Sequence, residues 1–60
     1  MTVGEFKKTK MCRNAKYVNY WSTNGLNISN KPTIILDILK VIGTSNYADG
    51  SIDVDVEYVE

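Results

Sequence analysis

The alternation of apolar and acidic residues near the end of the sequence constrains the fold more than any other feature. From residue 51 to 59 the sequence is SIDVDVEYV, in which every second residue is apolar. Because side chains alternate across a β-strand, this period places the apolar and acidic sets on opposite faces. We predict a strand over about residues 51–59, with one face in a core. Its other face carries what we name the acidic row: Asp53, Asp55 and Glu57.

A second β-rich region surrounds an Asn-Gly pair. Residues 16–22 are rich in aromatic and β-branched residues, residues 26–30 contain Leu26 and Ile28, and Asn24-Gly25 lies between the two segments. Asn-Gly favours a tight type I′ turn, because both residues accept the positive φ that this turn requires. We therefore predict a β-hairpin with strands over about 16–22 and 26–30.

The register of this hairpin predicts which side chains share a face. Trp21 opposite Ile28 places both residues in the core. The other face is mostly polar, with Val18 and Tyr20 as apolar exceptions. Strand propensity alone explains two apolar residues on a solvent face. The alternative is a contact patch, and Val18 and Tyr20 are therefore candidate partner-binding residues together with the acidic row.

Two helices are predicted, one on each side of the hairpin. Thr2 and Glu5 have the spacing of a capping box, which predicts a helix over about residues 3–10. Pro32 near the start and Gly43 just past the end predict a second helix over about residues 34–42.

The second helix has too much apolar surface for a small sheet to cover. Seven of the nine residues from 34 to 42 are apolar, and a monomer seldom leaves such a surface exposed. A chain of this size also gains little stability from its own core. We therefore expect a homodimer, or a partner groove, whose candidate interface residues are Ile35, Ile38, Leu39 and Ile42.

Together these elements predict one α+β domain over residues 1–60. Its order is a short N-terminal helix, a β-hairpin, an apolar helix and a C-terminal strand. The expected architecture is a three-stranded antiparallel sheet with the helices on one face.

The composition removes most catalytic chemistry. The chain has no histidine and a single cysteine, so an internal disulfide and a Cys/His zinc site are excluded. There is no Gly-rich phosphate loop and no recognisable nucleophile motif. Cys12 lies between Lys10 and Arg13, but no general base accompanies it. We expect no enzyme activity, no cofactor and no metal.

The same composition indicates a location. A lone cysteine is typical of a reducing cytoplasm. The longest apolar stretch is interrupted by Asp37, which makes it too short to span a membrane. The first residues are charged and lack the apolar segment of a signal peptide. We therefore expect a cytoplasmic protein that has no membrane partner.

Charge is distributed unevenly although the net charge is zero. We name the cations between residues 7 and 16 the basic segment: Lys7, Lys8, Lys10, Arg13 and Lys16. Residues 49–60 carry five acids and no base. The two ends could pair with each other, or each could bind a charged partner. The acidic row could imitate phosphates in the basic groove of a nucleic-acid-processing enzyme. Direct nucleic-acid binding by the basic segment is disfavoured by the zero net charge and the acidic strand.

Three pieces of the sequence resemble a known class of proteins: residues 2–6 (TVGEF), the hairpin around Asn24-Gly25, and residues 51–55 (SIDVD). They are similar to pieces of small phage and mobile-element proteins of Gram-positive bacteria. That class includes anti-CRISPR proteins and other anti-defence proteins, such as the small inhibitor of the Hachiman system. The resemblance implies a non-enzymatic protein that binds and inhibits or modulates a bacterial defence protein. With the apolar helix, it predicts action as a homodimer in the host cytoplasm. The alternatives are an accessory structural protein that only oligomerises, and a small nucleic-acid-binding module.

Overall fold

A computed structural model describes all residues from 1 to 60. Three short helices and three strands follow one another along the chain, and their bounds are α1 Val3–Phe6, α2 Lys10–Asn14, β1 Tyr17–Trp21, α3 Thr33–Leu36, β2 Val41–Asn46 and β3 Ser51–Val56. The strands form one sheet in the order β1-β3-β2. β3 is parallel to β1 and antiparallel to β2. The α+β prediction is confirmed, but the sheet is mixed rather than wholly antiparallel.

The first predicted helix divides into two. The capping box forms as predicted: the Glu5 N–H donates to the Thr2 hydroxyl oxygen, and the Thr2 N–H donates to the Glu5 carboxylate over 2.8 Å. Hydrogen bonds from the Thr2 N–H and the Thr2 hydroxyl to the Glu5 carboxylate hold the pKa of Glu5 below its ordinary value. The helix over 3–10 stops early because Thr9 caps a new helix, accepting a hydrogen bond from the Cys12 N–H. A hydroxyl at an N-cap satisfies an N–H of the first turn that would otherwise lack a partner.

The predicted helix over 34–42 is wrong beyond its first turn. α3 ends at Leu36, and the chain enters β2 at Val41. Two backbone hydrogen bonds hold this part of the chain against its start. The Val3 N–H donates to the Leu39 carbonyl, and the Val41 N–H donates to the Met1 carbonyl, each over 2.8 Å. β-branched residues suit a strand, so the pairing with the start of the chain outweighs the helix-like spacing of the apolar residues.

The predicted hairpin is also wrong. Residues 26–30 form no strand, and only an isolated bridge joins Trp21 to Asn27. Positive φ occurs at Gly25 but at no non-glycine residue, so Asn24 does not take part in a type I′ turn. The side chain of Ser22 closes a wider loop instead, donating to the Asn24 side chain and accepting from the backbone N–H of Leu26.

The wider loop reverses the predicted faces of β1. The Ile28 N–H donates to the Tyr20 carbonyl over 2.8 Å, so Ile28 lies opposite Tyr20 rather than Trp21. Tyr20 is buried, whereas Tyr17 and Leu26 are exposed. Tyr20 therefore belongs to the core, and its predicted place on the solvent face is wrong.

A single hydrophobic cluster covers one face of the sheet. Its eight buried members are Val3, Phe6, Tyr20, Ile28, Leu36, Ile52, Val54 and Val56. β3 supplies three of them at alternate positions, as its sequence predicts. The strand ends at Val56 rather than at residue 59, because Thr23 exchanges hydrogen bonds with Val56 and Tyr58. None of the three helices is long and apolar enough to cross a membrane.

Candidate functional site

The face of the sheet opposite the core has no helix over it. All three helices contribute residues to the hydrophobic cluster or pack against it, so they lie on the other side. Strand pairing sets the positions on the uncovered side: Asn19 lies beside Asp53, and Trp21 lies beside Asp55. On the other flank of β3, Ser45 pairs with Asp53. We name this surface the open face, and its main side chains are Tyr17, Asn19, Trp21, Ser45, Asp53 and Asp55.

Two acids of the acidic row lie on the middle strand of the open face, Glu57 follows the end of that strand, and none of the three makes an ion pair. Asp55 and Glu57 are exposed and Asp53 is half-buried. The molecule contains two ion pairs, Lys7 with Asp37 and Lys31 with Glu60. Neither of them joins the basic segment to the acidic end of the chain. Of the two alternatives for the charged ends, pairing with each other does not occur, and no cation of the chain neutralises the acidic row.

A tyrosine beside β3 experiences this negative charge. The Tyr47 hydroxyl donates a hydrogen bond to the Asp53 carboxylate over 2.9 Å. This bond, together with the charges of Asp53 and Asp55, raises the pKa of Tyr47, since ionising the phenol would place another anion beside the acids. The acids that no cation neutralises make this edge of the open face negative.

Two aromatic side chains accompany the acids on β1. Tyr17 is 62% exposed, and Trp21 is half-buried next to Asp55 in the register. The Trp21 indole Nε1 is buried without a hydrogen-bond partner, although such groups usually find one. Aromatic rings beside carboxylates suit cationic side chains, which the ring faces and the carboxylates both attract.

Val18 and Tyr20, the sequence-predicted contacts on β1, lie on the opposite face. Tyr20 is buried in the core, and Val18 is half-buried against it. Burial is the main cause of the raised pKa of Tyr20. The sequence analysis missed Tyr17 as a contact candidate, because β1 carries large apolar residues at both odd and even positions and its alternation marks neither face as the core side.

An exposed apolar surface precedes and enters β2. Its members, which we name the isoleucine patch, are Ile34, Ile35, Ile38 and Ile42, exposed by 80%, 40%, 75% and 55%. Leu39, the other candidate interface residue, is half-buried against the core. The patch spans α3, the turn after it and β2, so it is not one side of a single helix. Its role as a dimer interface stays a prediction.

The remaining candidates are distributed over the surface. Lys8, Lys10, Arg13 and Lys16 are exposed and make no ion pair. Cys12 is a free, half-buried thiol. No group of three or more carboxylate, thiol or imidazole side chains is arranged to hold a metal ion. A cavity of about 240 Å³ lies between α2 and the β2–β3 turn, smaller than the about 300–1,000 Å³ of typical ligand pockets.

Comparison with known proteins adds no relative: no protein family matches the chain, and neither the curated proteins nor the solved structures contain a match. The resemblance to small phage proteins therefore stays a prediction. The function has to be argued from the open face and the surfaces around it.

Proposed function

We propose that this chain is a small binding protein that docks its open face onto a basic surface of another protein. The observation that carries the proposal is the acidic row: three carboxylates on or beside an uncovered sheet face, none of them in an ion pair. Carboxylates that no cation of the same chain neutralises keep their attraction for the cations of a partner.

The aromatic residues of the open face support the same function. Tyr17 and Trp21 flank the acids on β1, and Tyr and Trp are enriched at protein interfaces because they combine a large apolar area with a polar group. An arginine docked here would pair with Asp53 or Asp55 and stack on a ring. Charge complementarity would also accelerate the encounter and select basic partners.

Within this class, we propose as target a bacterial defence protein that handles nucleic acid. A row of carboxylates along a rigid strand can occupy a groove whose cations otherwise contact phosphates. The sequence resemblance to anti-defence proteins supports this narrower proposal. The free thiol of Cys12 supports a reducing compartment, the host cytoplasm, as the place of action.

The proposal is tested with an oligo-arginine peptide as the probe and NMR as the readout. We expect amide shifts to concentrate at Asn19, Trp21, Asp53 and Asp55 and to weaken as salt is added. The variant Asp53→Asn/Asp55→Asn should bind at least about tenfold more weakly, a loss of about 1.4 kcal/mol. The control Asp49→Asn/Glu60→Gln removes the same charge outside the acidic row, although it also breaks the ion pair of Lys31 with Glu60, and should bind as the wild type does.

Two outcomes would overturn the proposal. Equal weakening in both variants would mean that the peptide senses only net charge, and shifts outside the open face would place binding elsewhere.

A DNA duplex probe tests a second candidate function, nucleic-acid binding, which the unpaired cations of the basic segment favour. Salt-sensitive duplex binding that Lys10→Gln/Arg13→Gln abolishes would establish a nucleic-acid-binding module instead.

A further inference from the structure

One edge of the sheet is only partly covered. β2 pairs with β3 along one side, and on its other side residues Met1–Val3 pair with Leu39–Val41. This cover ends at Val41, whose N–H donates to the Met1 carbonyl over 2.8 Å. From Gly43 to Asn46 no segment lies against the outer edge of β2. Thr44, Ser45 and Asn46 are accordingly all exposed.

The hydrogen-bond pattern shows which backbone groups this free edge presents. The Tyr47 N–H donates to the Ser51 carbonyl over 3.0 Å, and hydrogen-bonded pairs alternate along an antiparallel ladder. Ser45 therefore directs its N–H and C=O toward β3. Thr44 and Asn46 direct theirs outward, which leaves two donors and two acceptors without a strand partner.

The free edge lacks the usual protection against strand addition. Natural edge strands are blunted by charged side chains, prolines or inward-pointing charges. Residues 41–46 have the sequence VIGTSN, with no charge and no proline. The isoleucine patch leads directly into this edge, and Ile42 belongs to β2 itself.

We propose that the free edge of β2 pairs antiparallel with the β2 of a second copy of this chain. The strand order of the joined sheet is then β1-β3-β2-β2-β3-β1. The register that uses every outward group places Thr44 of one copy opposite Asn46 of the other, with Ser45 facing Ser45 across a two-fold axis. An isologous contact of this kind closes at two copies.

A second copy fits this edge better than a charged partner does. In antiparallel self-pairing around a two-fold axis, a charge at or next to the axis would lie close to its own symmetry mate. The charge-free sequence of β2 avoids this repulsion. Standard interfaces bury about 800 Å² per partner, which is about a fifth of the 4010 Å² surface of one copy. The four outward backbone groups of Thr44 and Asn46 alone bury less area than a standard interface, so we place part of the isoleucine patch in the interface.

The dimer would also change the open face. The two-fold axis runs perpendicular to the joined sheet, so the open faces of both copies lie on the same side and form one surface with two acidic rows. The pairing itself does not depend on the proposed function, because Thr44→Pro, which changes no side chain of the open face, tests the dimer, while Asp53→Asn/Asp55→Asn tests peptide binding.

The dimer is tested by sedimentation velocity over a range of micromolar concentrations. We expect the wild type to dimerise and Ser45→Lys to weaken the dimer at least tenfold, because two lysines would meet at the axis. Asn30→Lys adds the same charge at an exposed position away from the sheet and should leave the dimer unchanged. Thr44→Pro removes an N–H that no group of the same chain uses, so it should give a folded monomer.

A disulfide tests the register. Facing residues of a non-hydrogen-bonded pair have Cβ atoms about 4.5–5.5 Å apart, close to the spacing that a disulfide needs. Cys12→Ser/Ser45→Cys should therefore oxidise to a covalent dimer, whereas Cys12→Ser/Asn30→Cys should not. A wild type that stays monomeric would overturn the proposal. A dimer that neither Ser45→Lys nor Thr44→Pro weakens would also overturn it, by placing the interface elsewhere.

Discussion

The two faces of β3 show how one strand divides its residues between stability and surface chemistry. On the core face Ile52, Val54 and Val56 are between 0% and 4% exposed. On the open face Asp53 and Asp55 alternate with them and form no ion pair. Neighbouring positions on this strand therefore differ completely in what they contact, although they share the same backbone pairing.

The core face is built by residues that are distant in sequence, whereas the acids of the open face come from the strand itself. Val3, Phe6 and Leu36 reach the core from two short helices, and Ile28 reaches it from a loop. These helices are too short to be stable alone, so packing against β3 has to hold them. Changes on the core face should consequently affect the whole fold, and changes on the open face should affect only what it binds.

The largest expected effect comes from placing a charge on the core face. Val54 is 0% exposed on the middle strand of the sheet, so Val54→Asp would bury a carboxylate without a partner. We expect a loss of about 4 kcal/mol or more, enough to unfold a domain of ordinary stability. Circular dichroism and urea denaturation measure it.

The neighbouring position supplies the control for this prediction. Asp55→Asn changes an exposed side chain that has no ion pair and should alter stability by no more than about 0.5 kcal/mol. If Val54→Asp folded as stably as Asp55→Asn, the assignment of the two faces would be wrong.

A matched pair of isoleucines gives the next largest effect. Ile28 is 1% exposed and Ile34 is 80% exposed, so the same truncation tests burial alone. Ile28→Ala should cost about 2–5 kcal/mol, because it removes buried methyl groups and leaves a cavity. Ile34→Ala should cost less than about 0.5 kcal/mol. Urea denaturation of dilute protein measures both, and similar losses would contradict the place of Ile28 in the core.

The sequence predicts the elements whose signals are local. The alternation in β3 permits one assignment of faces, and the capping box at Thr2 and Glu5 forms as the spacing requires. The acidic row of the candidate site follows from the same alternation. These features depend on neighbouring residues, so no distant contact has to be known to predict them.

The failures concern elements whose structure depends on distant partners. Asn24-Gly25 predicts a tight hairpin, but β1 pairs with β3, far along the chain, and a buried Ser22 closes a wider loop. In residues 34–42 the apolar run suits a helix or a strand, and pairing with the start of the chain and with β3 selects a strand from Val41 onward. The aromatic half of the candidate site was missed for the same reason, since only the pairing with β3 determines the faces of β1.

The smallest effect distinguishes two tyrosines on opposite sides of the sheet. Both have a raised pKa, but burial is the main cause for Tyr20, whereas the hydrogen bond to Asp53 is the main cause for Tyr47. Asp53→Ala removes both that bond and its charge. We expect the pKa of Tyr47 to fall toward its ordinary value of 10.0, while the pKa of Tyr20 stays raised.

NMR titration of the two tyrosine ring signals between neutral and alkaline pH measures this difference. Asp49→Asn is the control, because it removes an acid that hydrogen-bonds to Ser51 rather than to Tyr47. If Asp53→Ala left Tyr47 unchanged, the acidic row would not create the negative potential on which binding through the open face depends. A parallel fall in the pKa of both tyrosines would instead mean that the variant had loosened the core, and urea denaturation of Asp53→Ala would then show a loss of stability.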